Sequence, residues 1–439
     1  MVLWVYNVLL VLAFPAILAV LLSKARSRPG LPARLGWQLP PERGATALGN
    51  RAIWIHAVSL GEVVAVAPLV KALHRQDPSR SIVVSTVTET GREAVLDRLA
   101  GVATHCYAPL DYRGIVRRYV RRVRPAVYVF VETELWPNLL SVMRAEGVPT
   151  ILVNGRISSR SFARQQWPIV RTVYREVLTR ISLCLMQSTR DAARVVALGA
   201  PADRVRTTGN IKFDQPLPSV PAAQLDPIRR WVTRAPQAVV VVAGSTHPGE
   251  ETKVLEACAS VRKAGHPVRV VMAPRHIERA SELAQLLATH GIPFVRRSQL
   301  AAAGPADEDA WVLLLDTRGE LGAVYQFATV AFVGGTLVPL GGHNLLEPAA
   351  WGKPVVYGPH TDHCQESARA LEAAGGGVRV ADAAALARQV IRWCEDEAAR
   401  TIAGQAAQGA VRENQGALEQ CRVAIESVLA GLPSAAGPR

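Results

Sequence analysis

The stretch AIWIHAVSLGEVVAVAPLVKAL, residues 52–73, sets the reading of the whole chain. Ala52–His56 is a short apolar run that ends on a histidine. The turn Ala57-Val-Ser59-Leu-Gly61-Glu62 follows, and an apolar helical stretch then runs from Val63 to Leu73. A near-continuous apolar run of this kind predicts a strand buried on both faces, as in a parallel sheet covered by helices. The same unit recurs. Runs at Ser81–Thr86, Ala126–Val131, Thr150–Val153, Ile181–Met186, Ala238–Ala243, Val268–Met272, Trp311–Leu315, Thr329–Val333 and Pro354–Tyr357 alternate with longer amphipathic stretches. Such alternation predicts an α/β protein of doubly wound sheets.

At 439 residues the chain is too long for one compact core and suits two domains. The boundary falls at Gln215–Ala222, QPLPSVPA, where three prolines in eight residues stop helix and strand alike. The predicted organisation is an anchor helix at 1–24, a first domain at 25–214, a linker at 215–222, a second domain at 223–432 and a disordered tail at 433–439. Each domain holds about five strand candidates. Two doubly wound domains leave a cleft, with ligands expected beyond the carboxyl ends of the strands.

Six scattered cysteines without a CxxC pair indicate neither a disulfide framework nor a zinc site, and a reducing compartment is expected. The formal charge of +14 calls for an anionic partner: nucleic acid, a phosphorylated substrate or an anionic membrane surface. The run Val2–Leu22, VLWVYNVLLVLAFPAILAVLL, narrows that choice, because 21 uncharged residues suffice to cross a bilayer. Lys24, Arg26, Arg28 and Arg34 follow it and nothing basic precedes it, so the positive-inside rule predicts a single span with the remainder in the cytoplasm. A cleaved signal peptide would carry a charged n-region, which is missing. An interfacial helix lying on the membrane would leave the compartment unchanged.

The residues that follow each strand are the candidates for chemistry. Glu62 has two readings. Ser59 and Glu62 have the spacing of a capping box, and a carboxylate in a first helical turn is favoured by the helix dipole. Alternatively Glu62 is a general base aimed into the cleft, with Gly61 permitting close approach of substrate. Glu132 and Glu134 follow AVYVFV, and Trp136 and Pro137 supply an apolar setting that would raise a carboxyl pKa. Lys212, in GNIKFD before the linker, is either an ordinary surface lysine or a cation placed to stabilise a departing phosphate.

In the second domain, GGTLVPLGGHNLLEPAAWGKPVVYG (334–358) has glycine pairs at 334–335 and 341–342 around a loop. A helix is predicted over His343–Trp351, its free amides suited to a phosphate and Glu347 to ribose hydroxyls. No P-loop and no GxGxxG fingerprint is present, which disfavours ATP hydrolysis and NAD chemistry. The histidines show no metal-ligand spacing, and no GxSxG elbow appears. Neither a catalytic metal, a cofactor nor a serine nucleophile is expected. Arginines recur in RGIVRRYVRRVRP (113–125, including Arg117 and Arg121) and around Phe162 and Trp167 (Arg156, Arg160, Arg164, Arg171). They form either a solvated face or a contact with anionic lipid headgroups. Nucleic acid is disfavoured by the anchor and by the absence of a reading module.

HAVSLGE (56–62), VETELWPN (131–138), NGRIS (154–158), GNIKFD (209–214), APRH (273–276) and GGHNLLEPAA (341–350) together resemble the Kdo transferases of lipopolysaccharide synthesis. These attach 3-deoxy-D-manno-octulosonic acid to the lipid A precursor. The blocks occur in family order over nearly the whole chain. The resemblance implies a GT-B glycosyltransferase with two Rossmann-like domains, the first binding the acceptor and the second the donor, CMP-Kdo. It also implies an inverting, metal-independent transfer at the bacterial inner membrane, with lipid A precursor as acceptor. Glu62 would be the base, with Glu132 and Lys212 stabilising the transition state. Pro274, Arg275, Arg318, Gly319, Glu320, Asn344, Leu345, Leu346 and Glu347 would meet the CMP moiety. Ser59, Gly61, Arg117, Arg121 and Arg156 are the acceptor or membrane candidates. One position departs, with Arg318 standing where the family usually has Met. The rivals are a GT-B sugar-nucleotide epimerase, which has no use for an anchor, and a non-catalytic membrane scaffold, which leaves Glu62, Glu132 and Lys212 unexplained.

Overall fold

The computed structural model describes residues 2–23, 30–40, 51–302 and 309–432. They form two units, one comprising Met1–Gln215 with Asn414–Arg439 and the other Pro216–Glu413.

The first unit holds a seven-stranded parallel sheet of β1 (Ala52–His56), β2 (Ile82–Thr86), β3 (Thr104–Tyr107), β4 (Pro125–Val131), β5 (Thr150–Gly155), β6 (Leu183–Met186) and β7 (Val205–Thr207). Its order is β3-β2-β1-β4-β5-β6-β7. The side chains of β1 divide between two cores. Ile53 and Ile55 pack with Val63, Val66 and Leu69 of the helix Leu60–Gln76, whereas Trp54 packs on the other face with Tyr119 and Tyr128. Burial on both faces is what the unbroken apolar runs require.

The second unit repeats the plan with β8 (Val239–Thr246), β9 (Val268–Pro274), β10 (Phe294–Arg296), β11 (Val312–Leu314), β12 (Val330–Val333), β13 (Val355–Tyr357) and β14 (Gly377–Arg379). Its order is β10-β11-β9-β8-β12-β13-β14, again parallel. Each unit is thus a Rossmann-like, doubly wound domain of the GT-B kind. The strand order reverses between β1 and β4 in the first sheet and between β8 and β12 in the second, where β11 also steps back between β9 and the edge strand β10, and a crevice for ligands forms at a central reversal.

Two expectations are corrected. Each sheet has seven strands rather than about five, the additional ones being β3, β7, β10 and β14. The second unit stops at Glu413 rather than 432. The helix Ala417–Ala430 returns to the first sheet, where Cys421, Ala424 and Ile425 join the core around Val63 and Leu69. Asp214 fixes that return by accepting the backbone N–H groups of Gly416 at 2.6 Å and Leu418 at 2.9 Å. Arg34, counted among the basic residues after the apolar run, is buried at 7% exposure. The expected tail 433–439 and Lys24, Arg26 and Arg28 lie outside the described residues.

The N-terminal run forms one helix, Val2–Ser23, long and apolar enough to cross a membrane. All six cysteines are free.

Removing the Asp214 carboxylate leaves two amides without their acceptor. Asp214→Ala is therefore expected to cost the first unit about 1–3 kcal/mol. Urea unfolding of the full chain checks this, and an unmoved first-unit transition would show that the last helix is held by packing alone.

Candidate active site

At the reversal point of the first sheet, β1 and β4 end side by side, since His56 pairs with Phe130. Glu62 stands in the first turn of the helix that follows β1. The predicted capping box does not form, because Glu62 accepts from Val58 N–H rather than from the N-cap residue's own N–H. Ser59 is the N-cap residue, but its side chain accepts no backbone N–H. Its hydroxyl instead donates to Glu62 Oε1 at 3.3 Å, and Val58 N–H donates to Glu62 Oε2 at 2.7 Å. Burial pushes the Glu62 carboxyl up to about 7 against the stabilising Val58 bond, and the negative charges of Glu132 and Glu134 push in the same direction. Gly61 is exposed, with open space around the position of an added Cβ.

Glu132 is the first residue past β4 and adopts the left-handed conformation, φ 58°, which is uncommon for a residue with a side chain. Its Oε1 lies 3.2 Å from Lys212 Nζ. Both groups are about one-third exposed, so the pair is open to incoming ligand. Glu134 is raised above the ordinary carboxylate range by burial and then by the charge of Glu132.

Lys212 is held by a chain of buried amides. Asn154, at φ 57° near the end of β5, accepts Ile211 N–H at 3.1 Å on its side-chain oxygen. Its backbone carbonyl accepts from Gln187 at 3.1 Å, and the Asn210 side chain accepts Lys212 N–H at 3.0 Å. The short 3₁₀ turn Ile211–Asp214 is thereby clamped on one side by Asn154 and on the other by the returning helix through Asp214. The NGRIS and GNIKFD blocks are thus two halves of one clamp.

Among the arginines, Arg156 is adjacent to this group, because Thr133, between the two acids, donates its hydroxyl to the Arg156 carbonyl. Arg121 is not. It lies with Arg51, Arg124 and Pro125, at the opposite ends of β1 and β4 from Glu132. Arg117 lies exposed one turn before it on the helix Arg113–Val123.

In the second unit the loop after β12 meets the end of β8. Gly334 permits this, since a Cβ there would lie 2.4 Å from the Ser245 carbonyl oxygen. The predicted helix His343–Trp351 is only Leu346–Ala350. The glycines at 341 and 342, with φ 84° and 81°, and the Asn344 side chain, accepting Leu346 N–H at 3.1 Å, keep the preceding residues in a turn. The amides of the upstream glycine loop are occupied by a protein carboxylate. Glu250, fully buried, accepts Gly335 N–H at 2.7 Å, Thr336 N–H at 2.9 Å, Leu337 N–H at 2.8 Å and His247 N–H at 3.1 Å. Sequence reasoning missed Glu250. The signal available was Gly249-Glu250 opening a helix directly after β8.

Of the predicted nucleotide contacts, Pro274 ends β9 beside Thr246, and the exposed Arg275 follows it. Asn344 and Glu347 are bonded to one another at 3.2 Å. Glu347 also lies against Gly322, close to the Arg318-Gly319-Glu320 turn. Glu320 is buried and bound internally, to Arg297 at 2.8 Å and to the Thr317 hydroxyl. Leu345 and Leu346 point into the core, so only their backbones remain for a ligand. Arg318 is 77% exposed and pairs with Glu278. A basic cluster that the sequence did not reveal adjoins Arg275. His247 and His343 approach at 2.7 Å between Nε2 atoms, with His276 next to them. Burial holds His343 down to about 4 and lowers His247, so at neutral pH both are uncharged and share one N–H···N bond.

Residues 29–215 match the family described as 3-deoxy-D-manno-octulosonic-acid transferase (kdotransferase). The chain is 34% identical over 417 residues to the 3-deoxy-D-manno-octulosonic acid transferase of Haemophilus influenzae, covering 94% of this chain and 93% of that one. It is 36% identical over 386 residues to the Bordetella pertussis protein of the same name, covering 86% and 87%. Among solved structures, a putative UDP-N-acetylglucosamine 2-epimerase from Listeria monocytogenes superposes with a TM-score of 0.54 over 88% of this chain and 98% of that one. At 12% identity that likeness concerns the fold alone.

Glu250→Ala would strip four amides of their acceptor and is expected to destabilise the second unit by about 3 kcal/mol or more. Thermal unfolding of the full chain reads this. A loss below about 1 kcal/mol would mean that water replaces the carboxylate readily.

Proposed function

Because the chain belongs to the 3-deoxy-D-manno-octulosonic acid transferase family, and is therefore a glycosyltransferase, we propose that it moves Kdo from CMP-Kdo to the lipid A precursor, the lipid A disaccharide bisphosphate, and releases CMP. The transfer is inverting, needs no metal or cofactor, and takes place on the cytoplasmic face of the bacterial inner membrane, to which the helix Val2–Ser23 attaches the protein.

The observation that carries this reading is the group Glu62, Glu132 and Lys212 at the reversal point of the first sheet. An acceptor hydroxyl must lose a proton as it attacks, and a base serves best when its pKa lies near the working pH. Burial gives Glu62 that value, about 7. The hydroxyl oxygen attacks the anomeric carbon of Kdo while Glu62 takes its proton. The bond from that carbon to the phosphate oxygen breaks, and its electron pair leaves with CMP. The ammonium of Lys212 balances charge developing on the phosphate, and Glu132 balances positive charge on the sugar. The donor's nucleotide occupies the second unit around Arg275, the 318–320 turn and Asn344–Glu347. The outward course of the Arg318 side chain fits a contact there through backbone alone, which tolerates arginine in place of Met.

Two measurements test the reading. CMP release by the detergent-purified protein, without divalent metal, is expected only when CMP-Kdo and lipid A precursor are both present, with Kdo covalently on the product. Lipid binding without CMP release in a folded protein would favour the scaffold instead. The rate under kcat/KM conditions is expected to rise with pH and level off above about 7, falling about tenfold per pH unit below it, because only ionised Glu62 accepts the proton. Glu62→Gln should abolish transfer while CMP-Kdo still binds. Retained turnover in that variant would remove Glu62 from the chemistry.

A further inference from the structure

The helix Val2–Ser23 is apolar around its circumference, and by composition it would stand across the bilayer. Its packing argues for another placement. One stripe faces the first unit along most of its length. Tyr6 OH donates to Asp111 Oδ2 at 2.9 Å, and Asn7 and Asn138 exchange amide hydrogen bonds at 3.0 and 2.8 Å. Tyr112 OH donates to the Leu10 carbonyl at 2.8 Å, and Phe14 meets the Tyr112 ring edge-on. Leu18 and Leu21 pack on Leu31, Leu35 and Leu110. From Tyr6 to Leu21 this seam spans about 22 Å at 1.5 Å per residue.

A helix docked so extensively cannot cross a membrane without taking its partners along. Asp111 lies under the N-terminal half, also accepting Asn138 N–H at 2.9 Å and Leu139 N–H at 2.8 Å. Arg113 and Arg117, exposed on the next helix, would enter the hydrocarbon with it. Charged groups at that depth are strongly disfavoured.

We infer that this helix lies in the plane of the cytoplasmic leaflet, docked on the first unit, and that its outward face is a monotopic surface for an anionic bilayer. The outward side chains Trp4, Leu9, Leu12 and Val20 are 70%, 59%, 73% and 51% exposed among the described residues. The helix Pro168–Leu178 packs against the N-terminal helix and presents Trp167 and Ile169, 69% and 83% exposed, at its start. Arg160, Arg164 and Arg171, all exposed, surround that pair. Aromatic residues amid arginines suit the boundary between headgroups and acyl chains. Asn138, the docking partner of Asn7, is four residues beyond Glu134 in sequence, so the seam sets the carboxylates beside the membrane, where a lipid acceptor presents its polar head. The inference rests on the proposed membrane location and not on which sugar is moved.

Nitroxide labels at Leu9→Cys, Leu12→Cys or Val20→Cys, one at a time, test it in the full chain with Cys364→Ser and Cys394→Ser. The protein is reconstituted in vesicles of phosphatidylethanolamine with phosphatidylglycerol as the minor component. Relaxation by oxygen against a water-soluble nickel chelate is expected to place all three labels at one shallow depth, about 5–10 Å below the phosphates. A graded profile with Leu12 deepest, about 15 Å down, would overturn the inference, as would failure to bind vesicles. Kdo transfer measured on the same vesicles separates the two readings. A flat profile without transfer sinks the assigned reaction and keeps the docked helix, whereas transfer with a graded profile does the reverse.

Discussion

A parallel sheet brings the carboxyl ends of all its strands to one edge. Where the strand order reverses, the chains leaving two neighbouring strands turn to opposite faces, and their first residues cannot be covered by either. The site in this protein depends on that constraint. His56 and Phe130 are paired neighbours, and the segments leaving them carry Glu62 on one side and Glu132 and Glu134 on the other. The second sheet repeats the arrangement, with Ser245 and Thr246 ending β8 beside the Gly334–Gly335 loop after β12. Backbone strain collects there. Glu132, Asn154 and Ser245 adopt φ between 55° and 58° at or just past three strand ends, each a conformation disfavoured for side-chain-bearing residues. In the first unit, two of these three residues touch the lysine clamp directly.

The same geometry explains what could be read from the sequence. A central strand is buried on both faces, so AVYVFV or VVVVA announces itself as an unbroken apolar run. The four strands that escaped notice, β3, β7, β10 and β14, are the four sheet edges. THCY, VRT, FVR and GVR are short and only half covered, and polar residues are tolerated in them, so no periodicity marks them. The second crossing of the chain between units was equally silent. The first crossing carries three prolines, whereas the return near Asn414 is a plain turn between helices. Its destination is set by Asp214, 202 and 204 residues away in sequence from Gly416 and Leu418, whose N–H groups both bond its carboxylate.

Glu250 shows a deeper limit. The sequence points to free amides at the helix start after the second glycine pair and assigns no partner to the amides of the upstream loop, Gly335 to Leu337. In the folded unit an internal carboxylate has taken them, bonded to four N–H groups and shielded completely from water. The identity of the anion is a long-range fact that no local pattern encodes. Its consequence is a loop tied by four hydrogen bonds, one of them from the backbone of His247, whose side chain meets His343. Such preorganisation lowers the ordering cost of binding.

In the first unit the charges are balanced differently. Three carboxylates gather near one ammonium, and the Lys212–Glu132 contact is open to solvent, where an ion pair contributes only about 0–1 kcal/mol. Lys212 can therefore exchange that partner for an anion at little cost. Glu62 is treated oppositely. Among the described residues no cation pairs with it, burial raises it and two like charges add to that, so its proton is retained to about 7. Were Lys212 beside Glu62 instead, its attraction would lower that carboxyl and weaken it as a base. The clamp of Asn154, Asn210 and Asp214 holds the backbone of the Lys212 turn where its ammonium meets Glu132, and this separates the group suited to accept a proton from the one suited to receive an anion.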